Sequence, residues 1–185
     1  MVKILSLKPN QYLEQGLTQC GAYSVKAILS AYGKDVKGHP REYQPNLFTK
    51  YTGTNIGPSF LDKILKKYGV HARKAYVTNL SDTERLEVLK KSLDNNSPVM
   101  LRIGNGYGKD GKYRPWVASF LGHWITLWGY DDEKGLFYVY DSYVAKNKHD
   151  KTVPIGNITR TYAEVLRDWG KGFPFAWRYL YIKVG

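Results

Sequence analysis

The sequence predicts one α+β domain spanning residues 1–185, in which a helix bearing the only cysteine packs on a small antiparallel sheet. Two observations predict it. Apolar residues recur at the helical period directly after Cys20, and two apolar, aromatic runs flank a tight turn between residues 123 and 140. Helices dominate the first half and strands the second, the pattern of an α+β rather than an alternating α/β chain. A chain of 185 residues is long enough for one sizeable core and short for two, and 43% hydrophobic content excludes a disordered chain.

The elements follow in order. Residues 20–32 read as a helix, because Val25, Ile28, Leu29 and Tyr32 fall at i, i+3, i+4 and i+7, with Gly33 as its stop and Thr18 as its expected N-cap. Residues 58–68 read as a second helix burying Phe60, Leu61, Ile64, Leu65 and Tyr68, ended by Gly69. A short strand is expected at Ala75–Val77. Ser81 and Glu84 form a capping box, so a third helix runs to about Leu93, and the Asn95-Asn96-Ser97-Pro98 run breaks it. Val99–Ile103 reads as a buried strand and residues 104–119, rich in Gly, Tyr and charge, as a long loop. Strands at His123–Tyr130 and Leu136–Tyr140 flank the turn Asp131-Asp132-Glu133-Lys134-Gly135. A helix over 161–169 and a strand from Trp177 to Val184 close the chain.

The net charge is +12, from 28 Lys and Arg against 16 Asp and Glu. Such a balance favours anionic partners, but the charge is scattered in short groups such as Lys66-Lys67, so no nucleic-acid partner is expected. A single cysteine excludes an internal disulfide and any cysteine-cluster metal site. No His, Asp or Glu spacing resembles a metal site, and no cofactor is expected. The N-terminal apolar patch is too short for a secretory signal, and no run approaches the roughly 18 apolar residues of a membrane span. A cytoplasmic protein is the expectation, with signal-independent delivery left open, and the oligomeric state is not addressed by the residues.

The chemistry centres on Cys20. A thiol attacks as thiolate, which a helix N-terminus or a nearby imidazolium favours. Cys20 opens a helix, and Gly21 beside it leaves room for close approach. His123 begins a strand that is otherwise apolar and aromatic, and Asp141 ends the partner strand of the same hairpin. Pairing around the turn sets these two ends side by side, so that Asp141 can accept from the second ring nitrogen of His123 and fix its tautomer. Proximity of Cys20 to His123 does not follow from spacing.

The run Gln15-Gly16-Leu17-Thr18-Gln19-Cys20-Gly21-Ala22-Tyr23-Ser24 resembles the active-site entry of papain-like cysteine peptidases. The run Gly122-His123-Trp124-Ile125-Thr126-Leu127-Trp128-Gly129-Tyr130-Asp131-Asp132, with Tyr140-Asp141-Ser142 after it, resembles the double-glycine leader peptidases that process bacteriocin precursors, and their stand-alone relatives. The closing elements with Tyr162, Trp169 and Tyr181 also fit. The resemblance implies a papain-like fold and a thioester mechanism. Cys20 would be nucleophile, His123 base, Asp141 orienter and Gln15 oxyanion donor with the Cys20 backbone N–H. Papain places its glutamine six residues before the cysteine; here Gln15 lies five before it, Glu14 holds the six-residue position, and Gln19 is the alternative donor. Leader peptidases are usually fused to a membrane transporter; these residues contain none, so leader processing coupled to export is not expected.

The implied substrate is a peptide or protein amide, and the basic balance favours an acidic one. The same three residues could instead run acyl transfer, deamidation or transglutamination, and a non-catalytic binding module on the same fold is the other class. His39, His71 and His149 are expected at the surface, Asp131 and Asp132 in the turn, and Trp124 and Trp128 in the core. Trp116 is expected to pin the loop ahead of His123 or to line the cleft.

Overall fold

The computed structural model describes residues 1–16, 18–44, 46–52, 57–108, 112–172 and 175–185. In chain order the elements are β1 (Val2–Ile4), α1 (Cys20–Ala31), α2 (Leu47–Thr52), α3 (Pro58–Lys67), β2 (Ala72–Tyr76), α4 (Asp82–Asp94), β3 (Val99–Gly104), α5 (Pro115–Phe120), β4 (Gly122–Asp131), β5 (Leu136–Tyr140), β6 (Ile158–Thr161), α6 (Tyr162–Trp169) and β7 (Leu180–Val184). Among the described residues the strands form one antiparallel sheet of seven, six of them in the order β2-β7-β3-β4-β5-β6. β1 pairs with β4 at Gly129–Asp131, beyond the point where β3 begins with Val99 opposite Leu127.

All of β3, and all of β4 after Gly122, is buried, so the sheet is covered on both faces. Two helix pairs, α1 with α3 and α4 with α6, supply the cover. α1 is buried from Gly21 to Ser30, the pattern of a central rather than a surface helix. Gly33 and Gly69, both at positive φ, stop α1 and α3 as the sequence predicts. A side chain at Gly21 would meet Leu61 of α3 at 3.0 Å and Trp124 of β4 at 3.5 Å, so glycine here lets the start of α1 close onto both neighbours.

Leu61 is fully buried under that contact. Leu61→Ala is expected to lower stability by about 2–5 kcal/mol, the cost of lost apolar burial plus the cavity left behind, read as a fall in the urea midpoint.

Several expectations are corrected. The N-cap of α1 is Gln19, not Thr18, and no side chain caps it; the Gln19 carbonyl already accepts from Ala22 and Tyr23, which leaves Thr18 outside the helix. Phe60 is exposed because it flanks the Leu61–Leu65 stripe instead of lying in it. The stretch 104–119 is not all loop: Pro115, with φ preset for a first turn, starts α5, a helix too short to show periodicity. Residues 109–111 of that stretch lie outside the described residues. Trp116 sits on α5, exposed and away from the cleft lining, so it neither pins nor lines. β2 runs Ala72–Tyr76 and so starts earlier and stops earlier than expected. The last strand begins only at Leu180, because Phe175–Trp177 form a 3-10 turn and Tyr179 has positive φ. His149 is half-buried, with Nε2 beside the Val144 carbonyl, whereas His39 and His71 are exposed.

Candidate active site

Cys20 is the first residue of α1, where unpaired N–H groups favour a negative charge. The chain enters through Gln19 in the left-handed region, at φ 82°, a conformation that costs a non-glycine residue about 1–2 kcal/mol. Its side chain is tied down elsewhere: Gln19 Nε2 donates to the Lys50 carbonyl of α2 at 3.0 Å.

His123 is the second residue of β4 and lies opposite Ile103. Its Nε2 lies 2.7 Å from Asp141 Oδ1, and both groups are buried. A β-bulge decides that meeting. The β4–β5 register shifts between Leu127 and Gly129, so Tyr140 pairs with Thr126. One residue further on, Asp141 falls opposite Ile125, which points to the same face as His123. An unbulged ladder would set Asp141 opposite Thr126, on the other face.

His123 and Cys20 are coupled in their titration, each moved by the other's charge and side chain. Burial pushes the Cys20 thiol up, and the hydrogen bond and charge of His123 push it down. The Trp124 backbone N–H and the Arg102 charge add to this, so the thiol titrates below its ordinary value. For His123, burial pushes down while the Asp141 carboxylate and then the Cys20 sulfur raise it, to about 9. Burial would push Asp141 up; the His123 charge and hydrogen bond, then Arg160, hold it well below the usual carboxylate range. Each of these directions favours the charged form of its group.

Asp141 is held from all sides. Oδ2 accepts from Arg160 Nη2 at 2.7 Å, and Oδ1 also accepts from the Tyr143 backbone N–H at 2.9 Å. The Asn157 side chain accepts from the Asp141 N–H and donates to its carbonyl, both at 2.9 Å. The Tyr143 ring stands edge-on to His123 at 6.1 Å between centroids.

Gln15 is buried beside this group. Its backbone N–H donates to the Ser142 carbonyl at 2.7 Å, and the Ser142 hydroxyl donates to Gln15 Oε1 at 2.5 Å. Glu14 turns away, accepting from the Lys146 backbone N–H at 3.0 Å. Gln15, Cys20 and His123 all line one cavity of about 440 Å³. The structure thus brings together the four residues singled out in the sequence.

The sequence profile of the Peptidase_C39 like family matches residues 5–171. The chain belongs to that family. No curated protein matches it. Three solved structures share the fold of this C39-like chain. A putative C39-like peptidase from Bacillus anthracis is 15% identical with a TM-score of 0.59, covering 100% of this chain and 98% of its own. A double-glycine-motif protease from an AMS/PCAT transporter, solved in complex with the leader peptide, is 14% identical at 0.56, with the same coverage. The peptidase domain of Streptococcus ComA, a bifunctional ABC transporter, is 14% identical at 0.55, covering 95% of this chain and 98% of its own. Family and fold together support a cysteine peptidase-like function. Among the described residues, no helix of this C39-like chain is long and apolar enough to cross a membrane.

Arg160, Asn157, Ser142 and Arg102 complete the site and were not found by sequence reasoning. Ser142 was within reach of it, as the neighbour of Asp141. Arg160 and Asn157 come from β6 and the turn before it, and Arg102 is a lone cation inside an apolar strand. A charge within the run Val99–Ile103 was the one signal available, since buried charge needs a reason.

Proposed function

We propose that residues 1–185 form one catalytic domain that hydrolyses a peptide or protein amide through a thioester on Cys20. The observation that carries this reading is the series Cys20–His123–Asp141, with His123 hydrogen-bonded to Asp141 and coupled to Cys20, and with Cys20 and His123 in the wall of a cavity of about 440 Å³. The Cys20 thiolate attacks the carbonyl carbon. The oxyanion is held by the Cys20 backbone N–H and the Gln15 side-chain amide. Ser142 supports the Gln15 assignment, because its hydroxyl occupies Oε1 and leaves the NH₂ end to donate. Gln19 and Glu14 are engaged elsewhere. His123 gives its proton to the leaving amine, then accepts one from the water that hydrolyses the thioester. Asp141 keeps the ring oriented and its positive charge stabilised throughout.

A quenched-fluorescent peptide library, followed by mass spectrometry of the intact protein, tests this. Wild type is expected to cleave a subset of peptides and to carry an acyl adduct on Cys20 that hydroxylamine removes; Cys20→Ala is expected to do neither. Ammonia release without chain cleavage would replace hydrolysis of the chain by side-chain deamidation at the same residues. Cleavage that persists in Cys20→Ala would overturn the assignment.

A further inference from the structure

Among the described residues, four carboxamides line the cavity around Cys20: Gln15, Gln19, Gln44 and Asn105. Three of them have one end already held. The Ser142 hydroxyl donates to Gln15 Oε1, Gln19 Nε2 donates to the Lys50 carbonyl, and Asn105 Oδ1 accepts from the Tyr107 backbone N–H at 3.2 Å. Gln44 differs. It is 5% exposed, and neither its Oε1 nor its Nε2 has a hydrogen-bond partner. A buried amide left unmet at both ends is costly, and such a group calls for an explanation.

The backbone that carries Gln44 is firmly placed. It follows the 3-10 turn Pro40–Tyr43, which packs against α1, and its N–H donates to the Arg41 carbonyl at 3.1 Å. Tyr43 beside it is buried, with its ring edge-on to Tyr68 at 5.2 Å between centroids. The Tyr43 hydroxyl accepts from the Val36 and Lys37 backbone N–H groups, both at 3.1 Å. The main chain is thus fixed on the α1 side of the cavity, while the side-chain amide is tied to nothing. Turning toward the cavity breaks no hydrogen bond of Gln44. Its carboxamide offers a donor and an acceptor, the complement of the N–H and C=O that one residue of an extended chain presents on one side.

We propose that Gln44 is a substrate-binding residue, whose carboxamide pairs with the main-chain N–H and C=O of one extended substrate residue near the amide that Cys20 attacks. The inference rests on the proposed function and deepens it. Recognition through the main chain makes the bound substrate an extended peptide segment rather than an isolated side-chain amide.

The test compares two alkylating reagents on the intact protein at neutral pH. Acetyl-Gly-Gly-Gly chloromethyl ketone carries main-chain groups and no side chains, and iodoacetamide carries no peptide chain. In both, the Cys20 thiolate displaces halide and forms one C–S bond. The ratio of their rate constants is expected to exceed that of a free thiol at least ~10-fold. Methylating the peptide nitrogens of the ketone in turn is expected to find one whose methylation lowers the ratio ~10-fold. Gln44→Met keeps the length of the side chain without its amide. It is expected to lower the ratio by the same factor, to make that methylation without further effect, and to leave the urea midpoint at or above that of wild type. The last result separates a binding role from a structural one, which would lower the midpoint and leave the ratio alone. The methylation series on wild type decides the matter should Gln44→Met not fold. A wild-type ratio indifferent to every methylation, or a Gln44→Met ratio equal to wild type, would overturn the inference alone. So would an effect of Gln44→Met confined to reagents with Gln in place of Gly, which would assign the amide to a substrate side chain. A Cys20 inert to iodoacetamide below pH 8 would overturn the proposed function and the inference with it.

Discussion

His123→Ala is expected to lower kcat/KM for amide cleavage by about 10³-fold or more and to move the alkylation profile of Cys20 toward alkaline pH. In wild type the ion pair spans the window from the lowered thiol pKa to the His123 pKa of about 9. Iodoacetamide should therefore react well below the pH of an ordinary thiol. Hydrolysis should fall on the alkaline side as His123 loses the proton it gives to the leaving amine. Without His123, burial still pushes the thiol up, and only the Trp124 N–H and Arg102 oppose it. Carbamidomethylation followed by mass spectrometry from pH 5 to pH 10 measures both profiles. Two superimposed curves on folded proteins would remove the ion pair and leave a non-catalytic binding module as the better reading.

Arg160→Met is expected to destabilise the fold by about 3–5 kcal/mol, although Arg160 never touches the proposed nucleophile. Arg160 and Asp141 are both buried, and Nη2 lies 2.7 Å from Oδ2. Removing the guanidinium leaves Oδ2 as a buried charged oxygen without its cation. The Asp141 pKa is depressed in the folded protein, so its pairing stabilises the fold at every pH above the ordinary carboxylate value. That contribution is lost only as acid protonates the folded carboxylate. The variant raises the folded value toward the ordinary one, so acid unfolding should begin at higher pH. His123 would have Asp141 to itself and lose a cationic neighbour, so the alkaline limb of activity should move up. Urea titrations at neutral and acidic pH, with the pH–rate profile, check both parts, and Arg160→Lys should restore much of each. Unchanged stability and an unchanged limb would show that Arg160 is a bystander.

The site residues differ in how they can be read from the chain. Cys20 and His123 are legible because each stands at the edge of an element with a strong local signal. One opens a run at helical period, and the other opens an apolar strand after a glycine. Asp141 is legible as the end of the partner strand, but its side of the sheet is not. The bulge between Leu127 and Gly129 sets that; Gly129, a glycine inside the strand, signals an irregularity there but not which face results. Gln15 against Gln19 is likewise open at the level of spacing. What separates the two is contact with Ser142 for Gln15 and with Lys50 for Gln19, both remote in sequence.

Local chemistry by itself determined most of the framework: the cysteine-bearing helix, the 123–140 hairpin, the capping box at Ser81, and the stops at Gly33 and Gly69. These depend on neighbours a few residues away, and periodicity and capping report such neighbours. Only the tertiary structure decided the rest. It set the face Asp141 occupies and the Arg160 and Asn157 clamp on it. Those depend on strand register and long-range packing, where one bulge reverses a face and a buried charge finds its partner on another strand.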